Sequence, residues 1–154
     1  MDTVPYVEVH VVQRFSAPAD RVFDAWINPV IAGSWLFATA SHRMSRVQID
    51  PRAGGAFRFE GERDGETVVQ TGKYLEIARP RRLAFMLFMA ERSRSATRVN
   101  VEITALKAGC ELALVHENVL PDRARLTEGR WDGMLYGLAE MLGDSRESRG
   151  RLPG

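Results

Sequence analysis

The 154 residues suffice for one globular domain with a hydrophobic core, since 45% of them are hydrophobic. The 21 basic and 20 acidic residues leave a net charge of +1, so the composition gives no sign of a nucleic-acid partner. No apolar run approaches the roughly 20 residues that span a membrane, no secretory signal opens the chain, and the single Cys110 suits a reducing compartment, so we expect a cytoplasmic protein.

The first part of the chain predicts a strand and two short helices. Hydrophobic and polar residues alternate over residues 6–15, which indicates a half-buried strand. Pro18 suits the first position of a helix, and that helix should end at Asn28 because the next residue is proline. Asn28 can also cap a second short helix over residues 30–35.

Six strands are predicted next, from alternating hydrophobic residues and the turn signals between them. The Asp64-Gly65 pair is the most specific of these signals, because it separates two alternating runs and is typical of a two-residue hairpin. The predicted strands cover residues 43–50, 56–63, 67–78, 83–90, 97–106 and 111–118. Strands that follow one another through short turns predict an antiparallel sheet.

A long amphipathic helix is predicted over residues 126–142. The large apolar residues that share one of its faces are Trp131, Leu135, Leu138 and Leu142. Gly129, Gly133 and Gly137 form a second row, and since glycine costs a helix roughly 1 kcal/mol relative to alanine, we expect something to pack closely against that row. We expect residues 1–143 to form one domain, with the curved sheet wrapped around this helix and a cavity between them. The polar residues 144–154 are expected to form a flexible tail.

Several motifs together carry a resemblance to a known family. They are FSAPADRVFDAW over residues 15–26, Asn28-Pro29, Trp35, DPRAGGAF over residues 50–57, and the segment from Gly129 to Trp131 in the last helix. With these motifs the chain resembles the START-like superfamily (SRPBCC, or helix-grip), in the branch named for the C-terminal domain of the activator of heat shock protein 90 ATPase. Two positions depart from the family pattern: Cys110 stands where threonine is usual, and Arg130 separates a glycine and a tryptophan that are usually adjacent.

The resemblance implies an α+β helix-grip fold, with a curved antiparallel sheet of about six to seven strands around the C-terminal helix. The leading functional hypothesis is a bacterial module that binds a small apolar or aromatic molecule in the cavity, with no catalysis assured and no cofactor. Some START-like relatives perform cyclisation, dehydration or hydrolysis in this cavity, so an enzyme is one alternative. Regulation of a heat shock protein 90 ATPase is another, although the chain lacks the separate N-terminal domain of the eukaryotic activators. An exposed strand edge would also allow a homodimer.

The side chains predicted to line the ligand cavity are Trp35, Phe57, Phe59, Tyr74, Phe85, His116, Trp131 and Met134. For each of them the alternative is an ordinary place in the core. Trp26 could join this set, and the methionines Met86, Met89 and Met141 would provide pliable packing.

His116 is the best candidate for a catalytic group, because it shares a strand face with Leu112 and Leu114 and should point toward the helix. The alternative is a core histidine whose hydrogen bonds are satisfied. Cys110 follows a turn glycine and is expected to be an exposed or edge thiol. The three histidines, at positions 10, 42 and 116, have no spacing that suggests a metal site. Arg52 with Gly54 and Gly55 could bind an anion through backbone amides. The alternative, which we favour, is a tight turn in which Arg52 pairs with Asp50 or another carboxylate.

Overall fold

The computed structural model describes residues 5–38, 44–88 and 96–143. The predicted tail at 144–154 lies outside the described residues, as do His42 and Met89. The elements occur in the predicted order: β1 (Val7–Phe15), α1 (Ala19–Ile27), α2 (Pro29–Trp35), β2 (Met44–Ile49), β3 (Ala56–Arg63), β4 (Glu66–Ala78), β5 (Arg82–Phe88), β6 (Ala96–Ala105), β7 (Cys110–Val119), a 3-10 turn (Pro121–Arg123) and α3 (Ala124–Gly143).

The seven strands form one antiparallel sheet in the order β1-β7-β6-β5-β4-β3-β2. Strands β2 to β7 pair with their neighbours along the chain, and β1 pairs with β7. Register shifts interrupt the β1–β7, β2–β3 and β4–β5 pairings, and such irregularities bend strands and increase their twist. The curved sheet lies against α3, which packs on β1, so the predicted helix-grip fold is confirmed.

Two local predictions hold in detail. The side-chain oxygen of Asn28 accepts hydrogen bonds from the backbone N–H groups of Val30 and Ile31, at 3.0 and 3.2 Å, and so caps α2. Asp64 and Gly65 both have positive φ, 53° and 81°, as a two-residue hairpin between β3 and β4 requires. Asn28 therefore fixes where α2 begins, and the Asp64-Gly65 pair fixes where the chain turns between β3 and β4.

The apolar stripe of α3 is buried against the sheet. Trp131, Leu135 and Leu138 are at most 2% exposed, and Leu142 at the end of the helix is half-buried. The inner face of the sheet contributes buried residues from β1 and β3 to β7, so one continuous core lies between the sheet and the helices.

Two expectations from the sequence are wrong. Cys110 is fully buried, because it is already the first residue of β7, where it pairs with Phe15 and Ala105; burial raises the pKa of its thiol to about 11. The glycine row of α3 is not a close-packing surface: a Cβ added at Gly129, Gly133 or Gly137 would meet no described heavy atom within 4 Å. The apolar stripe turns toward the sheet, and the glycine row is left facing open space.

Candidate functional site

A cavity of about 800 Å³ lies beside the glycine row of α3. We call it the outer groove. Its walls are the glycine row itself, the end of α2 and parts of β2, β3 and β4. Its apolar lining side chains are Trp35, Phe37, Ala38, Met44, Val68, Met134 and Met141. Its polar lining side chains are Ser34, Arg63, Gln70, Arg130 and Glu140.

A second, much smaller cavity of about 10 Å³ lies within the aromatic core, and we call it the inner pocket. This volume is close to the minimum that one water molecule needs. The residues that line it are Trp26, Leu36, Phe37, Phe57, Phe59, Tyr74, Leu83 and Phe85. Phe37 lines both cavities, so the outer groove and the inner pocket adjoin at this residue.

The eight residues predicted to line one cavity fall into three groups. Trp35 and Met134 line the outer groove, whereas four aromatic residues line the inner pocket: Phe57, Phe59, Tyr74 and Phe85. His116 and Trp131 border neither of these two cavities in the described part of the chain; they lie in the core between β7 and α3. The predicted set is therefore close in space, but no single cavity brings it together.

His116 connects the sheet to α3 through both of its ring nitrogens. The indole N–H of Trp131 donates to Nδ1 at 3.0 Å, and Nε2 lies 2.8 Å from the hydroxyl oxygen of Thr97. Since an indole can only donate, Nδ1 must be the acceptor, and the ring proton of neutral His116 is on Nε2. Burial lowers the pKa of His116 to about 4, so the ring is neutral at pH 7. Both nitrogens are occupied by core partners, as the core-histidine interpretation requires.

Tyr74 and the turn before β3 form the other polar feature near the inner pocket. The guanidinium of Arg52 contacts the carboxylate of Asp50 at 3.0 Å, so the pairing expected from the sequence is confirmed. Burial, with a smaller contribution from the negative charge of Asp50, raises the pKa of Tyr74 above its usual range. The Tyr74 hydroxyl therefore keeps its proton at neutral pH and can donate a hydrogen bond.

Sequence reasoning missed the residue that separates the two cavities. Phe37 follows the end of α2, has φ of 62° and belongs to no periodic pattern. It also missed Met44, Val68, Gln70 and the two arginines of the outer groove. The available signal was the glycine row, which marks the groove once it is interpreted as open space rather than as close packing.

The model of the family described as "Activator of Hsp90 ATPase homolog 1-like protein" matches residues 16–143, which is most of the chain. The chain belongs to this family. No curated protein matches the sequence.

Solved structures share the fold of this Activator of Hsp90 ATPase homolog 1-like chain. A protein from Chromobacterium violaceum is 22% identical with a TM-score of 0.81, over 90% of this chain and 98% of that one. The AHSA1-like protein from Aeromonas hydrophila is 18% identical with a TM-score of 0.77, over 94% of each chain. A protein from Cytophaga hutchinsonii is 25% identical with a TM-score of 0.70, over 88% and 93%. These similarities support the fold. Because one fold can host unrelated functions, the class of ligand is inferred from the cavities.

Within residues 5–38, 44–88 and 96–143, no helix has the length and apolarity that crossing a membrane requires. Over the same ranges, no group of three or more His, Cys, Asp or Glu side chains is arranged to hold a metal ion. The described lining of the outer groove offers apolar contact plus a few hydrogen-bonding and charged groups.

Proposed function

We propose that this member of the family binds a small apolar or aromatic molecule in the outer groove. The observation that carries the proposal is the open glycine row. Each of Gly129, Gly133 and Gly137 costs α3 roughly 1 kcal/mol relative to alanine, yet no described atom packs where their side chains would be. No packing in the described structure compensates for this loss of helix stability, and a bound molecule would fill the space beside the glycine row.

The size and lining of the outer groove support the same proposal. Its volume of about 800 Å³ lies within the roughly 300–1,000 Å³ of typical ligand pockets, which are mostly apolar with a few polar groups that orient the ligand. Met134 and Met141 provide flexible, polarisable contacts from α3. Arg63 and Arg130 outnumber Glu140, the one acidic residue in the described lining, so the net positive charge favours a ligand with an anionic substituent.

A fluorescent probe of this chemistry tests the proposal. 1-Anilinonaphthalene-8-sulfonate combines apolar rings with one negative charge, and we expect the folded protein to bind it with a dissociation constant on the order of micromolar. In Gly133→Leu the new side chain projects into the groove, so affinity should fall by at least about tenfold, which is 1.4 kcal/mol. Asp132→Leu adds the same side chain at the neighbouring exposed position, outside the groove lining, and should bind like the wild type.

The comparison of these two variants is decisive. Equal weakening by both leucines would mean that the probe binds elsewhere or responds to general surface changes. Unchanged binding in Gly133→Leu, with the fold intact by circular dichroism, would remove the outer groove as the site.

The family name favours a second candidate, regulation of a heat shock protein 90 ATPase. A test would add the purified chain to the cognate chaperone and follow ATP hydrolysis. Stimulation that persists in Gly133→Leu would support a regulator that does not use the groove, and no change in the rate would count against this candidate.

A further inference from the structure

Trp26 carries a buried hydrogen-bond donor that has no partner among the described residues. Its side chain is 1% exposed, and no described atom accepts a hydrogen bond from its indole nitrogen. The other two indoles are satisfied: Trp35 donates to the backbone oxygen of Ala25 at 3.0 Å, and Trp131 donates to His116 at 3.0 Å. Buried donors are paired in the great majority of cases, so an exception calls for an explanation.

Trp26 is one of the residues that line the inner pocket. The other lining residues in the described chain are apolar, apart from Tyr74. The pocket has room for about one water-sized group. An acceptor atom that reached this pocket would therefore find aromatic walls and an unsatisfied donor on one of its lining residues.

Phe37 is the side chain between that donor and the outer groove. Its ring centroid is 5.0 Å from that of Phe59 and 6.4 Å from those of Phe57 and Trp131. Phe37 is half-buried, whereas these three neighbours are at most 4% exposed. The ring of Phe37 thus fills an aromatic recess from its outer side.

The backbone of Phe37 is weakly held in its present conformation. Its φ of 62° is in the left-handed region, which is unfavourable for a residue other than glycine. Its N–H donates to the sulfur of Met134 at 3.1 Å, and a thioether is a weak acceptor. A change of this backbone conformation would move the ring relative to the aromatic residues around it.

We propose that the ligand is an aromatic molecule with a hydrogen-bond acceptor, whose ring replaces that of Phe37 and whose acceptor atom binds the indole N–H of Trp26. The inference rests on the proposed function and specifies its ligand class. Exchange of one ring for another preserves the contacts with Phe57, Phe59 and Trp131. A ligand without an acceptor would leave the Trp26 donor unpaired, and this difference provides selectivity.

Acetophenone and ethylbenzene form a matched pair of probes for this inference. Each has one phenyl ring, and they differ in a carbonyl oxygen in place of two hydrogens. We expect acetophenone to bind about threefold to tenfold more tightly, the range of one net hydrogen bond. Trp26→Phe keeps an aromatic side chain but removes the donor, so the two affinities should become equal.

Nuclear magnetic resonance of the wild-type protein gives a second measurement that needs no variant. The indole N–H signal of Trp26 should move with acetophenone more than with ethylbenzene. The indole signals of Trp35 and Trp131 serve as internal references because their protons are already bonded. In Phe37→Ala both compounds should associate faster, with the preference for acetophenone retained.

The outcomes separate this inference from the proposed function. If the naphthalene sulfonate binds as expected but acetophenone and ethylbenzene bind equally, with no distinct change at Trp26, the inference is overturned and the proposed function stands. If none of the three compounds binds, both fail. Unchanged association rates in Phe37→Ala would overturn the role of Phe37. Should Trp26→Phe not fold, the wild-type resonance decides.

Discussion

At the scale of single residues, the burial of His116 predicts a pH dependence of stability. Its pKa is about 4 in the folded protein, against an ordinary value of 6.5 that applies to the unfolded chain. Between these values the unfolded chain binds more protons, so stability rises with pH. His116 therefore contributes on the order of 3 kcal/mol that is present above about pH 6.5 and is lost as the pH falls through 4.

Urea unfolding of the wild type and of His116→Gln at pH 7 and pH 4.5 measures this contribution. The wild type should lose more stability than the variant between the two pH values, because glutamine does not titrate. Carboxylates affect both proteins alike and cancel in the difference. Equal losses would contradict the burial of His116 as a neutral ring.

The second prediction at this scale concerns the stability of a Trp131→Ala variant. Trp131 is 2% exposed, packs against Trp26 and Phe37, and donates to His116. Trp131→Ala should therefore lower the free energy of unfolding by about 3–5 kcal/mol, the range for removing a large buried side chain. Leu126→Ala on the same helix is the control: Leu126 is 49% exposed, and its loss should cost about 0.5 kcal/mol or less. A loss below about 1 kcal/mol for Trp131→Ala would contradict its place in the core.

At the scale of elements, the surroundings of a glycine decide the effect of adding a methyl group. In α3, Gly133→Ala adds a group to open space and improves the helix propensity, so unfolding should require about 0.5–1 kcal/mol more. In β4, a Cβ at Gly72 would collide with the backbone oxygen of Met86 and the ring of Phe57, and Gly72→Ala should destabilise by at least about 1–3 kcal/mol. Denaturant unfolding of both variants checks the opposite signs. Destabilisation by Gly133→Ala would mean that the row packs against something after all.

The helices and strands themselves could be predicted because the spacing of hydrophobic residues and the positions of turn-forming residues are local properties of the sequence. The long helix, predicted over residues 126–142, is observed as Ala124–Gly143, and the turn at Asp64 and Gly65 is where the dipeptide indicates. Spacing fixes which residues share a face, but not the distance from that face to the next element. The same glycine row therefore fits both close packing and an open groove, and only the three-dimensional arrangement distinguishes them.

The sequence also did not predict that the candidate site is divided into two cavities, and the reason is the same. The predicted aromatic residues were expected to line one cavity, but Trp35 lines the outer groove, four others line the inner pocket, and Phe37 lines both. That position depends on a single left-handed residue after α2, which follows no repeating pattern. The hydrogen-bond partners of His116 could not be predicted from the sequence either, because Thr97 and Trp131 contact it only when β6, β7 and α3 are packed together.

At the scale of the whole molecule, the apolar stripe of α3 and the proposed binding surface lie on different faces of the helix. The core that holds the sheet to α3 uses the apolar stripe of the helix, whereas the outer groove uses the glycine row on another face. Changes on the glycine row should therefore alter binding with little loss of stability, whereas Trp35 and Met44 belong both to the groove lining and to the buried core. The glycine row of α3 can therefore form part of the proposed ligand site, while the apolar stripe of the same helix packs against the sheet.

This separation predicts how a ligand changes thermal unfolding. A molecule that binds only the folded state at ten times its dissociation constant adds about 1.4 kcal/mol, which for a domain of this size raises the melting temperature by roughly 3–6 °C. We expect this rise for the wild type and for Asp132→Leu with the naphthalene sulfonate, followed by circular dichroism. Gly133→Leu should melt at or slightly above the temperature of the wild type without the probe, because leucine favours a helix more than glycine does, and it should show little rise with the probe. If it melted at a much lower temperature without the probe, the groove and the core would be coupled, because blocking the groove would then have disturbed the packing that holds α3 to the sheet.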